Sequence, residues 1–294
     1  MRTDLLNSMK ILYYTLKCSG FIGFNVNLSN RTINYVNSIT LSMLVSTIIS
    51  IGSYGYYMTN SDKSEYFHLL TDIFISVKIL KMITCFMFRI VYQKKIMLIW
   101  ETFVDIEDDL VHVKTKFSYK LIKYCSIATL LTVIAKVVEM IYNCIAYSSS
   151  LFAVCNFILN LQDLRVSLIR VEYITFLCVL RNGLDKVRFA LSKEIKISNL
   201  NTLKTVQEIC RKIFSLTKVV QEIFSYQILS ILIESICVIA INISVFISIA
   251  YETPSTYIIM IYFNIMCWLV DALLTFSSVI IISQCTSKSV SILD

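Results

Sequence analysis

The sequence predicts an all-α, polytopic transmembrane helical bundle, and three observations predict it. Mean hydropathy is +0.71 with only 16% charged residues, against about 25% in soluble domains. Five Gly and a single Pro, Pro254, leave too few turn formers to punctuate many short strands. Six apolar segments reach the length of about 20 residues that a helix rising about 1.5 Å per residue needs to cross a hydrocarbon core of about 30 Å. A soluble enzyme is therefore excluded as the default. The net charge of +7, which in a soluble chain points to nucleic acid, reads here as basic cytoplasmic loops, and no nucleic-acid partner is expected.

The chain divides into a cytoplasmic N-terminal segment 1–32, a bundle over 33–282 and a cytoplasmic tail 283–294. Segment 1–32 intersperses Arg2, Lys10 and Lys17 with apolar residues and has no separate apolar run ending in small residues, so it is not a secretory signal. The expected spans are 33–57, 69–91, 122–147, 151–180, 223–249 and 257–282. The fourth carries Asp163, Arg165, Arg170 and Glu172 and is longer than a bilayer requires, so its second half is expected to continue into the cytosol.

Orientation follows from the basic residues. Segments 1–32, 92–121, 181–222 and 283–294 together hold nineteen Lys and Arg, whereas 58–68, 148–150 and 250–256 hold only Lys63. The positive-inside rule places the first set, and both termini, in the cytosol. Asn27-Leu28-Ser29 and Asn30-Arg31-Thr32 have the form of glycosylation acceptors, which would require a lumenal N-terminus; the charge asymmetry outweighs them.

Catalytic signatures are missing from the sequence. Gly20, Gly23, Gly52, Gly55 and Gly183 form no phosphate-cradling loop, and no G-x-S-x-G elbow occurs. His68 and His112 fall on opposite sides of the membrane, so no His-based zinc site is expected. The ten cysteines include no C-x-x-C pair and read as small buried hydrophobes, with Cys144 and Cys155 the one pair placed for a disulfide. No metal or cofactor is expected.

Charges at bilayer depth face the bundle interior and find partners. Lys81, Glu234 and Asp271 all fall about 15 Å from the cytoplasmic boundary, at about 1.5 Å per residue, and form one expected buried cluster. Lys136 and Glu139 share a helical face, as do Lys78 and Lys81. Such charges either lock helices together or line an ion or ligand path. The outer halves of the spans offer Asp72, Tyr142, Asn143, Asn156, Asn242, Tyr257, Tyr262 and Asn264, the mixture of phenols and amides that a mostly apolar ligand pocket needs. Tyr142 and Tyr257 equally suit interfacial anchoring, and buried Asn equally joins helix to helix.

The cytoplasmic stretch 181–222 is a helical stalk. Val206, Ile209, Ile213, Leu216, Val220 and Ile223 recur at alternating steps of three and four, an apolar seam that requires a partner. The partner is either another subunit, which makes the seam an oligomer contact, or a self-contained hairpin with the continuation of span four.

Three stretches carry a resemblance: Tyr13-Tyr14-Thr15-Leu16-Lys17-Cys18-Ser19-Gly20-Phe21-Ile22-Gly23-Phe24; Leu203-Lys204-Thr205-Val206-Gln207-Glu208-Ile209 through Phe224-Ser225-Tyr226-Gln227-Ile228-Leu229; and Cys285-Thr286-Ser287-Lys288. Together with the layout they make the whole chain resemble an insect gustatory receptor, of the inverted-topology chemoreceptor family that includes odorant receptors. The resemblance implies a plasma-membrane receptor of chemosensory neurons, a small-molecule tastant in the outer half of the bundle, and a homo- or hetero-tetramer gating cations. Family members carry a seventh span with a Thr-Tyr-(five apolar)-Gln-Phe signature. Here Thr256-Tyr257 begins such a pattern but lacks the Gln-Phe and lies in span six, so the chain is expected to lack that span and no pore-lining residue is transferred. Other readings are a truncated or nonfunctional receptor copy, or a small secondary transporter using Asp72, Lys81, Glu234 and Asp271. A transporter typically shows internal repeats and Gly/Pro-broken helices, neither of which is present. A G-protein-coupled receptor would require an external N-terminus.

Overall fold

The structure, a computed structural model, describes residues 5–27, 30–36, 45, 47–53, 55, 65–113, 115, 117–146, 150–194 and 200–252. Two short helices, α1 (Leu5–Ser8) and α2 (Lys10–Cys18), lead into a hairpin of β1 (Phe24–Asn27) and β2 (Thr32–Tyr35). Five longer helices follow: α3 (Glu65–Val91), α4 (Gln93–His112), α5 (Lys120–Ala146), α6 (Ser150–Glu194) and α7 (Leu200–Glu252).

Helices α6 and α7 have 45 and 53 residues, which at about 1.5 Å per residue makes them more than twice as long as a bilayer core is thick. Each therefore combines a bilayer portion with a portion that must pack on protein. Exposure separates the two. Ile127, Leu131, Ile134, Val138, Ile141 and Ile145 of α5 are all at least 49% exposed at steps of four and three, a continuous apolar stripe that a protein in water does not present. Leu80, Ile83, Met87 and Val91 on α3 and Leu229, Ile233, Ile236 and Ile243 on α7 do the same. Among the described residues, Lys120–Val138 and Leu203–Cys237 are long and apolar enough to cross a membrane by length and composition.

The remaining halves converge on a dense core. Trp100 and Phe103 of α4 stack edge-on against Phe176 of α6, which meets Phe224 of α7 edge-on at 5.7 Å between ring centres. Tyr13 of α2 and Phe24 of β1 close on Trp100 from the N-terminal side. Ion pairs brace the rim, Lys95 to Glu222 at 2.7 Å and Lys212 to Asp109 at 2.6 Å. The hydrogen bond that each lysine donates to its carboxylate holds it above the usual ammonium range, so the lysines stay charged at neutral pH and this bracing is lost as alkali deprotonates them.

Two parts of this bundle differ from the sequence reading. Residues 92–121, expected as a loop, contain α4, whose buried Ile96, Ile99, Trp100, Phe103, Ile106 and Leu110 follow helical spacing. Ile33, Asn34 and Tyr35, expected at the start of the first span, lie in β2, where Ile33 pairs with Val26 and Asn34 with Asn25. A hydropathy run does not distinguish a strand from the first turn of a span.

The seam on α7 is covered within the chain. Val206, Ile209, Ile213, Leu216, Val220 and Ile223 are all at most 4% exposed within the single chain, so they face α4 and α6 and leave no apolar area for a second subunit. Of the two partners that the sequence leaves open, the chain's own helices cover these residues. A Cβ placed on Gly183 of α6 would stand 3.0 Å from the Ile213 side chain, tighter than an ordinary contact. Gly183→Leu is expected to lower stability by about 1–3 kcal/mol through overpacking, read as a lower melting temperature of the detergent-solubilised chain at unchanged oligomer size.

Candidate functional site

The bundle interior holds a charged chamber at the depth where the sequence places Lys81 and Glu234. Helix α3 supplies Lys78 and Lys81 one turn apart, α5 supplies Lys136, α6 supplies Asp163 and Arg170, and α7 supplies Glu234. Lys81 is the hub, its Nζ 2.7 Å from Glu234 Oε1 and 3.0 Å from Asp163 Oδ1. The second Asp163 oxygen accepts from Lys78 Nζ at 2.8 Å. One carboxylate thus bridges two ammonium groups on α3 while Glu234 ties the same helix to α7. A cavity of about 30 Å³ lies among these side chains, with Ser167 and Ser235 on its wall, enough for a water molecule or two.

Charges removed from water this far are held only by close partners, so the three helices are locked in one register by the pairs on Lys81. A one-turn slide of α3 against α6 would carry one of the two lysines out of reach of Asp163 and bring the other into its place. Whatever moves α3 relative to α6 and α7 must break or exchange these bonds.

A second buried pair lies further along α3 and α6. Arg89 and Glu172, both 0% exposed, pair through Nη1 and Oε2 and through Nη2 and Oε1, the latter at 3.1 Å. Arg89 Nε also donates to the Phe21 carbonyl at 2.7 Å, and Gln93 Nε2 donates to the same oxygen at 3.0 Å. That carbonyl is aimed by the end of α2. Gly20 takes φ 80°, a left-handed conformation that suits glycine. The Phe21 and Gly20 amides then bond back to the Leu16 and Lys17 carbonyls at 2.9 and 3.0 Å, closing a Schellman turn. The N-terminal segment is thereby fastened to the C-terminal end of α3 and, through Glu172, to the middle of α6.

Of the expected cluster, the structure brings Lys81 and Glu234 together; Asp271 lies outside the described residues. Among the expected pocket residues, Asp72 lies on α3, Tyr142 and Asn143 on α5, Asn156 on α6 and Asn242 on α7, but their side chains lie outside the described set, as do those of Glu139, Cys144 and Cys155. Tyr257, Tyr262 and Asn264 fall outside the described residues altogether. Asp163 and Lys136 join the chamber without having been expected there. The signal for Asp163 was its helical spacing of seven from Arg170, which puts both on one face of α6. No cluster of three or more metal-ligating side chains occurs among the described residues.

Two comparisons complete the picture. A family model described as "7tm Chemosensory receptor" matches residues 9–293. The chain belongs to this chemosensory receptor family. No curated protein matches the chain. Membership makes it a helical membrane receptor of the plasma membrane for small-molecule ligands, in a family that is not one of enzymes. In the receptor, the Tyr13–Phe24 stretch that carries the resemblance contains the Gly20 turn and the Phe21 carbonyl. The stretch from Leu203 to Leu229 is the α7 seam, leading to the Tyr226 ring beside Phe88.

Proposed function

We propose that the chain is a gustatory receptor subunit, with six spans and a cytoplasmic N-terminus, that binds small tastants at the surface of chemosensory neurons and gates cations in a homo- or hetero-tetramer. The family match over 9–293 carries this reading, and the long α6 and α7, extending from lipid-exposed stripes to a protein core, support its layout. The tastant enters the outer half of the bundle, among Asp72, Tyr142, Asn143, Asn156, Asn242, Tyr262 and Asn264. It acts by binding one arrangement of the helices better than the other, since a ligand shifts such an equilibrium only by its differential affinity. The chamber around Lys81 lies between that pocket and the cytoplasmic core, where a displacement of α3 would be relayed.

The test is expression in heterologous cells, alone and with co-expressed family members, under a panel of sugars, bitter compounds and amino acids. Ligand-evoked calcium entry and cation currents, lost in Asn156→Ala and Asn242→Ala at intact surface expression, are the expected result. Evoked currents untouched by any pocket substitution would reject the pocket. A secondary transporter is the second reading, favoured by the buried charges Lys78, Lys81, Asp163 and Glu234. Uptake of a substrate with currents fixed in ratio to flux, instead of ligand-gated conductance, would establish it.

A further inference from the structure

Helix α2 is amphipathic, and its outward side mixes basic with apolar and aromatic residues. Leu12, Tyr13 and Leu16 are buried against the bundle, while Ile11 and Tyr14 on the other side are 43% and 47% exposed, and Cys18 is exposed as well. An outer side of Lys, Ile and Tyr suits the headgroup level of a membrane, where basic and aromatic side chains collect. Lys10 is exposed on that same side, and Thr15 and Lys17 are half-buried.

Its attachment fixes its depth. Ser126 Oγ of α5 donates to the Ser8 carbonyl at 2.6 Å, and on α5 the exposed Leu121, Tyr124 and Ile127 of that same level begin the lipid-facing stripe. Past its other end, the Phe21 carbonyl is held by Arg89 near the end of α3. Both ends of α2 are thus tied to places where a lipid-facing helix reaches the cytoplasmic side.

The charge points the same way. Lys10 and Lys17 lie on α2 and Lys120 and Lys123 in the first turn of α5, while α2 has no acidic residue and α5 none before Glu139. Lys10 Nζ stands 5.8 Å from the centre of the Tyr14 ring. Cytoplasmic leaflets are anionic and attract juxtamembrane lysines, and Tyr and Lys collect at the headgroup level.

We propose that the exposed face of α2, Lys10, Ile11 and Tyr14, docks into the cytoplasmic leaflet beside Lys123 and Tyr124 of α5 and forms a binding surface for anionic phospholipid. The inference rests on the reading of α3 and α5 as membrane spans. It makes the N-terminal segment, fastened to α3 through Arg89, responsive to the lipid composition of the inner leaflet.

The test uses the full chain in nanodiscs of phosphatidylcholine and phosphatidylserine, three parts to one. Tyr14→Trp and, as a second probe of the same face, Ile11→Trp are compared with the wild-type emission of Trp100 and Trp268. Brominated acyl chains are expected to quench the added tryptophan about twofold while aqueous iodide leaves it bright, as for a helix immersed at the headgroup boundary. Lys10→Glu with Lys123→Glu is expected to weaken this quenching in the mixed discs and not in pure phosphatidylcholine. Quenching of the reversed variant in the mixed discs as strong as that of the chain that keeps both lysines overturns the anionic preference. Quenching by iodide alone, as expected for Phe189→Trp on the cytoplasmic end of α6, overturns the docking, and protection from both quenchers overturns it by assigning the face to protein. Leu131→Trp on the α5 stripe reports the span reading by itself: loss of lipid quenching there fails that reading, whereas loss at residues 11 and 14 alone fails this inference.

Discussion

Glu172→Ala is expected to destabilise the receptor by about 3–5 kcal/mol, the cost of leaving one partner of a buried ion pair uncompensated, a large share of a total stability of about 5–15 kcal/mol. Arg89 and Glu172 are both fully excluded from solvent, so the stranded guanidinium has no water to turn to. Its Nε remains bound to the Phe21 carbonyl, which means that relaxing Arg89 outward also releases the N-terminal segment. The expected readout is loss of monodisperse protein on detergent extraction and a strong fall in melting temperature. Arg89→Met combined with Glu172→Leu is expected to recover most of the loss, since an apolar pair of similar volume replaces a buried ion pair at little cost. Unchanged yield and melting for Glu172→Ala would show that the pair contributes nothing to the fold.

Reversal within the chamber is the other large effect. Lys81→Glu sets three carboxylates, at 81, 163 and 234, against Lys78, and Glu234→Lys removes one of the two anions bonded to Lys81. Each single reversal is expected to cost about 3–5 kcal/mol and to abolish surface expression. The double reversal restores the α3–α7 bond with its polarity exchanged and should recover part of the expression, with a coupling of about 0.5–3 kcal/mol. Recovery will be incomplete because Asp163 then faces a like charge at position 81. Additive losses with no recovery would mean that Lys81 answers to Asp163 alone.

These two pairs differ in how far the sequence discloses them. Lys81 and Glu234 could be matched from sequence because each is an ionisable residue deep in an apolar run, and depth along a helix is a linear count of about 1.5 Å per residue. Arg89 and Glu172 stand nearer the ends of their runs, where a charge needs no special partner, and nothing local distinguishes them from solvated residues. The Phe21 carbonyl carries no sequence signal as an acceptor; only the Gly20 turn hints that the backbone stops and redirects there.

The sequence by itself determined the class of the molecule. Hydropathy, the scarcity of Gly and Pro, and the helical period of the α7 seam are local properties, and helices and bilayer crossing answer to local properties. Tertiary structure decided the partners. The seam from Val206 to Ile223 reads identically whether it meets another subunit or its own chain, and only the approach of α4 and of α6 at Gly183 encloses it within one subunit. The span-like start at Ile33 became a strand because Phe24–Asn27 offers it a hydrogen-bonding edge. Periodicity fixes which face of a segment must be covered, whereas what covers it depends on contacts between residues far apart in the chain, as with the 83 positions between Arg89 and Glu172, and no local pattern encodes those.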